Sequence, residues 1–354
     1  MTKAEYHVIG VMSGTSLDGV DLAYIRFDFN GNCSFEIINA ITISYSNSWR
    51  KTLGNLIDKS LEELHGIDSS YTDYLAEVIS SFIKSNKIKV LDAICSHGHT
   101  ALHQPEHKLT YQIGNMPKLA DLLNKTIVCD FRVQDVDLGG QGAPLVPIGD
   151  DLLFSEFDYC LNLGGFANVS TEIDSKRIAF DICPVNIILN HYVNQHGLAY
   201  DDEGKIASTG NLNSELLQKL NELEFYQKPH PKSLGLEWVK TEIFPLIDSY
   251  NLETPDVLKT CIEHIAVQIS SEINKKSDVT VLVAGGGVFN SFLIDRIRSL
   301  SVNDIVIPSK QVIEFKEALI FGLLGVLKLR NEVNCLSSVT GASMNHSSGK
   351  IYHP

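Results

Sequence analysis

The sequence predicts an α/β protein of two related domains, and three glycine-bearing turns, each set against a strand, carry that expectation. The first turn is Gly10-Val-Met-Ser-Gly-Thr-Ser-Leu-Asp-Gly19. It lies between Tyr6–Met12, mostly apolar and β-branched, and Val20–Phe29, which alternates apolar and polar residues, so strand–turn–strand is the local assignment. The second, Gly164-Gly-Phe-Ala167, separates strands at Tyr159–Leu163 and Asn168–Ile173 and repeats the first layout in the second half of the chain. The third, Gly285-Gly-Gly287, joins a strand at Val279–Ala284 to a helix at Asn290–Leu300. Two copies of one turn suggest two similar domains facing each other across a cleft. A length of 354 residues favours two domains over one.

The first turn packs Gly14 and Gly19 around Ser13, Thr15 and Ser16. Glycine lets a backbone approach an anion closely, and hydroxyls with nearby amides supply donors, so the turn reads as a phosphate holder. It is no Walker loop, because no Gly-Lys-Ser/Thr follows and a strand comes next; an ordinary Gly/Ser/Thr hairpin turn has the same composition. Trp49–Asn86 has apolar residues at helical spacing, with Asp68-Ser-Ser70 as the expected break and cap. Val90–Ser96 reads as a buried strand running into Ser96-His-Gly-His-Thr100. Leu109–Ile113 and Thr126–Phe131 read as short strands flanking a helix near Met116–Leu123, and a turn-rich Asp137–Pro144 leads into Leu145–Phe154. At the third turn a strand, glycines and a helix N-terminus make a good nucleotide contact, since the helix start offers N–H groups and a positive dipole end. A tight packing turn would look the same. A Gly-x-Gly-x-x-Gly is absent, which weighs against a dinucleotide.

Composition narrows the function. Hydrophobic content of 44% with 20% charged residues is that of a globular enzyme. A net charge of −14 disfavours nucleic acid and anionic membrane as partners, because phosphate backbones are gripped by Lys and Arg. Met-Thr-Lys-Ala-Glu-Tyr-His runs into a strand without a signal-like apolar region. The longest apolar run, Ala318–Leu329, falls short of a membrane span and suits a buried core helix. Seven scattered cysteines with no Cys-x-x-Cys pair point to a reducing, cytoplasmic compartment and no structural zinc. Of the twelve histidines, His99, His103 and His107 recur at intervals of four, but the segment is not read as a helix that would bring them to one face, and a histidine metal site is not expected.

In this order the three turns resemble those of the sugar kinase, actin and heat-shock chaperone superfamily. Longer motifs are more specific. Met12-Ser-Gly-Thr-Ser-Leu-Asp-Gly-Val-Asp21, Asp130-Phe-Arg132, Gly139-Gly-Gln-Gly-Ala-Pro-Leu-Val-Pro147 and Val339-Thr-Gly-Ala342 look like anhydro-N-acetylmuramic acid kinase, a resemblance running from Val8 to Ser343. It implies two actin-like ATPase domains of the duplicated ribonuclease H-like fold, facing across an ATP and sugar cleft. The implied boundaries are 1–150 plus 315–354 for domain I and 151–314 for domain II. The implied reaction opens the 1,6-anhydro ring of anhydro-N-acetylmuramic acid with water and phosphorylates O6 from ATP. Mg²⁺, a homodimer and a role in peptidoglycan recycling come with it.

Carried over residue by residue, the resemblance makes Asp181 the catalytic base, after phosphate turn two and before a Pro-started helix. A carboxylate near such a helix start is expected to stay ionised. Gly14, Thr15, Ser16, Leu17, Asp18, Gly19, Val20 and Asp21 would hold phosphates, with Asp18 also on Mg²⁺. Gly164 and Gly165 would do so from the second domain, and Gly285, Gly286, Gly287 and Asn290 would meet adenosine. His97, Thr100, Asp130, Arg132, Asn186 and Glu317 are the implied sugar-binding residues, Arg132 being suited to a lactyl carboxylate.

The wording departs from the family's at two places. Ile182, Cys183 and Val185 stand where the family commonly has Thr, Gly and Gly, and Leu234 and Leu236 replace Thr and Arg in a loop at Lys232-Ser-Leu-Gly235. Three rival readings therefore stay open: a kinase for another anhydro-sugar such as levoglucosan, a nucleotide-driven conformational protein of the actin or chaperone type, and a catalytically dead relative.

Overall fold

The computed structural model describes residues 3–14 and 16–354. The chain divides into two compact units, one of residues 1–153 with 315–354 and one of residues 154–314. Unit 1 opens with an antiparallel meander of β1 (Glu5–Ser13), β2 (Gly19–Asp28) and β3 (Ser34–Ser44). β4 (Ala93–Ser96) then pairs parallel to β1 on its free side. A separate hairpin of β5 (His99–Gln104) and β6 (Leu109–Ile113) precedes β7 (Ile127–Cys129), which lies parallel to β4.

Unit 2 repeats the plan. β8 (Tyr159–Leu163), β9 (Phe166–Ile173) and β10 (Lys176–Pro184) form the meander. β11 (Thr280–Ala284) is parallel to β8, and β12 (Asp304–Val306) is parallel to β11. The order is thus 3-2-1-4-5 in both sheets, and unit 1 adds a last strand, β13 (Lys350–Tyr352), antiparallel to β7. Identical order and direction in both sheets is the duplicated α/β architecture that the two glycine turns announce.

Each sheet owes its core to helices with an apolar stripe. The helix Leu61–Ser85 buries Leu64, Tyr71, Leu75, Ile79 and Phe82, spaced three to seven residues apart so that one face meets the sheet. In unit 2 the helix Thr254–Ile273 buries Leu258, Cys261, Ile262, Ile265 and Ile269 in the same manner. No helix among the described residues is long and apolar enough to cross a membrane.

Two local expectations need correction. Asp68-Ser-Ser70 neither breaks nor caps a helix. The break falls earlier, at Gly54–Ser60, and Ser60 starts the long helix with a capping box: its hydroxyl accepts from the Glu63 amide while Glu63 accepts from the Ser60 amide. Asp68 sits inside that helix, buried, and its carboxylate accepts from the Gly114 amide at 2.6 Å and from the Tyr111 hydroxyl at 2.7 Å. A polar side chain that looked like a cap instead ties the helix to β6, a tertiary partner that local spacing does not reveal.

The second correction concerns Asp181. No Pro-started helix follows it; it lies within β10, beside a β-bulge between Asp181 and Cys183. The strand runs on to Pro184, and the next helix begins at Asn186.

The helix Lys310–Leu329, non-helical only at Phe315 (φ −119°, ψ 16°), lies against the sheet of unit 1 from that point on. Its approach is unusually close. A Cβ placed on Gly10 of β1 would collide with the Ala318 carbonyl oxygen, and one on Gly325 would collide with Cys95 Sγ on β4. Gly10→Ala should therefore destabilise unit 1 by about 1–3 kcal/mol or more, as overpacking does. Chemical denaturation followed by circular dichroism checks this; a midpoint equal to the parent's would show that the helix can back away freely.

Candidate active site

In unit 2 the pairing register draws four positions into one cross-strand row. Asp181 of β10 is opposite Asn168 of β9, Asn168 opposite Asn162 of β8, and Asn162 beside Ala284 of β11. Asp181, Asn168 and Asn162 are half-buried, while their strand neighbours Phe180, Ile182, Val169, Leu161 and Leu163 are core residues. Strand alternation thus delivers the polar trio to one face at the carboxyl ends of β8 and β11, where open α/β sheets bind ligands.

The turns flanking this row divide into structural and open positions. Gly285 (φ +86°) and Gly287 are required by packing, since a Cβ on either would strike Asn162 or Leu163. Gly286 faces open space and is exposed. Asn290 is the N-cap of the helix Ser291–Leu300, its Oδ1 accepting from the Leu293 amide at 3.0 Å. In turn two the Gly164 amide donates to Phe166 O, and the Gly164 and Gly165 carbonyls accept the Asn186, Val185 and Ile187 amides. Asn186 is the first residue of its helix and is half-buried. The turn is locked to that helix start, and those helix amides are already engaged.

Asp181 itself is held from a loop far along the chain. Its Oδ2 accepts from the Leu234 amide at 2.8 Å and from the Ser233 hydroxyl at 3.1 Å, and its own amide donates to Lys232 O at 3.0 Å. Oδ1 has no hydrogen-bond partner among the described residues. Burial pushes the carboxyl above the ordinary carboxylate value, opposed by those two donors. The expectation that a helix N-terminus keeps it ionised is therefore replaced: desolvation dominates, and the stabilising donors come from Ser233 and Leu234. Sequence reading missed these two as site residues; the Lys232-Ser-Leu-Gly235 loop was the available signal.

In unit 1 the equivalent sheet end carries the other residues. Thr15 lies outside the described residues. Ser16 and Asp18 are exposed, and Leu17 holds a left-handed backbone (φ +60°), a conformation uncommon outside glycine. Gly14 has only ordinary contacts around a hypothetical Cβ, so the protein itself does not demand glycine there. Gly19 and Val20 belong instead to the β2 ladder: a Cβ on Gly19 would strike Ile43 O, and Val20 is core. Asp21 accepts from Thr42 Oγ1 at 2.6 Å. The described residues left to the turn are therefore Gly14 and Ser16–Asp18.

Its root is anchored by a buried hydroxyl network. Ser13 Oγ meets Tyr45 OH at 2.5 Å and His99 Nδ1 at 2.7 Å, and accepts from Tyr71 OH at 2.9 Å. Burial lowers the His99 pKa to about 4, so the ring is neutral near pH 7. Nothing in the spacing marked Tyr45, Tyr71 or His99 as partners of the turn.

At the ends of β4 and β7 lie the residues expected to bind sugar. Arg132 Nε donates to His97 Nε2 at 2.9 Å, and its Nη1 donates to Gly142 O at 2.6 Å. His97 is buried; desolvation and then Arg132 hold it well below the ordinary histidine value, so it stays neutral. Glu317 is solvent-exposed yet crowded enough that desolvation raises its carboxyl, against the pull of Arg132. These three form one electrostatic group. Asp130 (φ +56°) is already engaged, accepting from Asn115 Nδ2 at 3.1 Å and pairing with Lys350 at 2.9 Å. Thr100 is half-buried opposite Gln112 in the β5–β6 hairpin.

Next to Glu317 in the chain, Lys316 forms a buried ion pair with Asp150 at 2.7 Å, near where the chain leaves unit 1 after Leu153 and returns at Phe315. Removing one partner strands a buried charge. Asp150→Ala should cost about 3–5 kcal/mol, and the double variant Asp150→Leu/Lys316→Leu should recover much of it. Thermal unfolding of the three proteins decides; equal midpoints for parent and Asp150→Ala would deny the pair any structural weight.

Glycine turns at the carboxyl ends of both duplicated sheets, with a half-buried carboxylate on the row that two of them flank, define a duplicated α/β protein with a candidate ligand site in each unit. The particular family follows from comparison. The anhydro-N-acetylmuramic acid kinase family profile matches residues 6–354. A protein of that name from Sulfurovum sp. (strain NBC37-1) is 32% identical over 367 residues, covering 99% of this chain and 100% of its own. One from Mannheimia succiniciproducens is 35% identical over 378 residues, with 99% and 100% covered. One from Haemophilus influenzae is 31% identical over 380 residues, with 99% and 98% covered. The chain belongs to the anhydro-N-acetylmuramic acid kinase family.

Proposed function

We propose that the chain couples hydrolytic opening of 1,6-anhydro-N-acetylmuramic acid to phosphorylation of O6 by ATP, giving N-acetylmuramic acid 6-phosphate and ADP. The observation that carries this reading is Asp181: one carboxylate oxygen held by two donors, the other without a partner among the described residues, on the row shared with both unit 2 turns. In the reaction Asp181 Oδ1 takes a proton from water as the water oxygen bonds to C1. The C1–O6 bond breaks, and O6 bonds to the γ-phosphorus as its bond to the ADP oxygen breaks. A carboxyl whose pKa is raised by burial is a stronger base than a free one, which suits it to water.

The remaining residues bind and orient. The open Gly286 leaves room for adenosine, and Gly14 with Ser16 offers the phosphates an uncrowded turn. Arg132, aligned by His97 and Gly142, supplies the cation for a lactyl carboxylate. The exposed Asp18 carboxylate, without a hydrogen bond or ion pair to the described residues, fits a hard cation's preference for carboxylate oxygen. Mg²⁺ held there would draw charge from the transferring phosphoryl group. Seven free thiols accord with a cytoplasmic enzyme, and a homodimer is what the family resemblance implies.

The test is ADP release from Mg·ATP with and without the anhydro-sugar, in ¹⁸O-water. Sugar-dependent ADP with one ¹⁸O at C1 and phosphate at O6 is expected; sugar-independent release at the same rate would sink the substrate assignment. Asp181→Asn should lower kcat by about 10²–10⁴-fold. The base must be deprotonated, so activity falls as pH drops through the Asp181 pKa, and the acid limb should lie above the ordinary carboxylate range. Ser233→Ala removes a donor that favours the ionised form and should move that limb to higher pH.

A further inference from the structure

Asp135, Cys335 and His346 form a buried cluster outside the residues used above, with a ligand atom from each within 4.8 Å of the others. It is the one such group of metal-binding side chains found among the described residues. Cys335 and His346 face each other across an antiparallel bridge, each donating its amide to the other's carbonyl. Asp135 Oδ1 accepts from Cys335 Sγ at 3.0 Å and from Thr340 Oγ1 at 2.7 Å, and Oδ2 accepts from the Gly142 amide at 2.7 Å.

His346 is the anomaly. Its Nδ1 donates to the Met344 carbonyl at 3.1 Å, so in the neutral ring Nε2 is the nitrogen that carries the lone pair. That nitrogen is buried without a hydrogen-bond partner and points at Asp135 Oδ1, another acceptor, 3.6 Å away. Two acceptors facing each other in the interior repel unless something positive lies between them. A backbone carbonyl on the far ring nitrogen is also the support that metal-bound histidines normally have.

We propose that Cys335, His346 and Asp135 bind a divalent cation of the zinc class. Thiolate, imidazole and carboxylate together match a borderline-soft ion, and Thr340 Oγ1 offers a further oxygen beside them. On binding, the Cys335 S–H bond breaks, a sulfur–metal bond forms, and the proton leaves to solvent. The ion would clasp the C-terminal segment onto Asp135, whose other oxygen holds the Gly142 amide; the Gly142 carbonyl in turn holds Arg132. The site thus acts as a positioning clip one residue removed from Arg132.

Full-length protein, dialysed against chelator, is titrated with Co²⁺ as a spectroscopic probe, and the as-purified protein is assayed for zinc. About one equivalent of Co²⁺ giving a thiolate charge-transfer band is expected, displaced by Zn²⁺. Cys33→Ser should retain the band, whereas Cys335→Ser should lose it and His346→Gln should weaken binding at least about tenfold. The proposal is overturned if the parent protein carries no zinc and shows no band, or if the band survives Cys335→Ser.

Discussion

The absence of a side chain at Gly10 is the constraint on which the rest of unit 1 depends. With no Cβ on β1 at that point, the backbone of the helix Lys310–Leu329 comes down onto the sheet at Ala318. Gly325 permits the same against Cys95 about two turns further on, and Gly322 keeps the helix close to Ile25 in between. One helix face is thereby pressed against β1, β2 and β4. Glu317, next to the contact, is brought within electrostatic range of Arg132, and Lys316 is buried against Asp150.

In unit 2 the organising device is register. Because successive side chains alternate faces, pairing Asp181 with Asn168 and Asn162 commits all three to one face, and a slip of one residue would bury them in the core. The bulge after Asp181 ends that row and lets Cys183 and Pro184 resume pairing with turn two. The carboxylate is then held from outside the sheet by Ser233 and Leu234. The substitutions that set this chain apart nearby are accommodated in the same way. Ile182, Cys183 and Val185 are core residues, and at Leu234 it is the backbone amide that meets Asp181, an interaction any residue but proline can make.

What was legible in the chain was what local chemistry controls. Strand periodicity around three glycine turns announced a duplicated α/β plan, and long motifs carry the family resemblance by their wording alone. The sequence alone, however, could not say why a given glycine is there. Gly19, Gly285 and Gly287 answer to neighbouring backbones, while Gly14 and Gly286 have room around them. Nor could it separate the Asp that caps a helix from the Asp that reaches across to β6, as Asp68 does.

The sequence by itself determined the elements, the repeat and the candidate Asp181, because hydrophobic period, turn chemistry and motif wording are written within a few residues of one another. Tertiary structure alone decided the partners: Ser233 and Leu234 for Asp181, His97 and Gly142 for Arg132, and Tyr45, Tyr71 and His99 for Ser13. Those pairs are separated by 10 to 86 residues along the chain. A hydrogen bond or a desolvated carboxylate depends on distance in space, which the fold sets and no local spacing encodes.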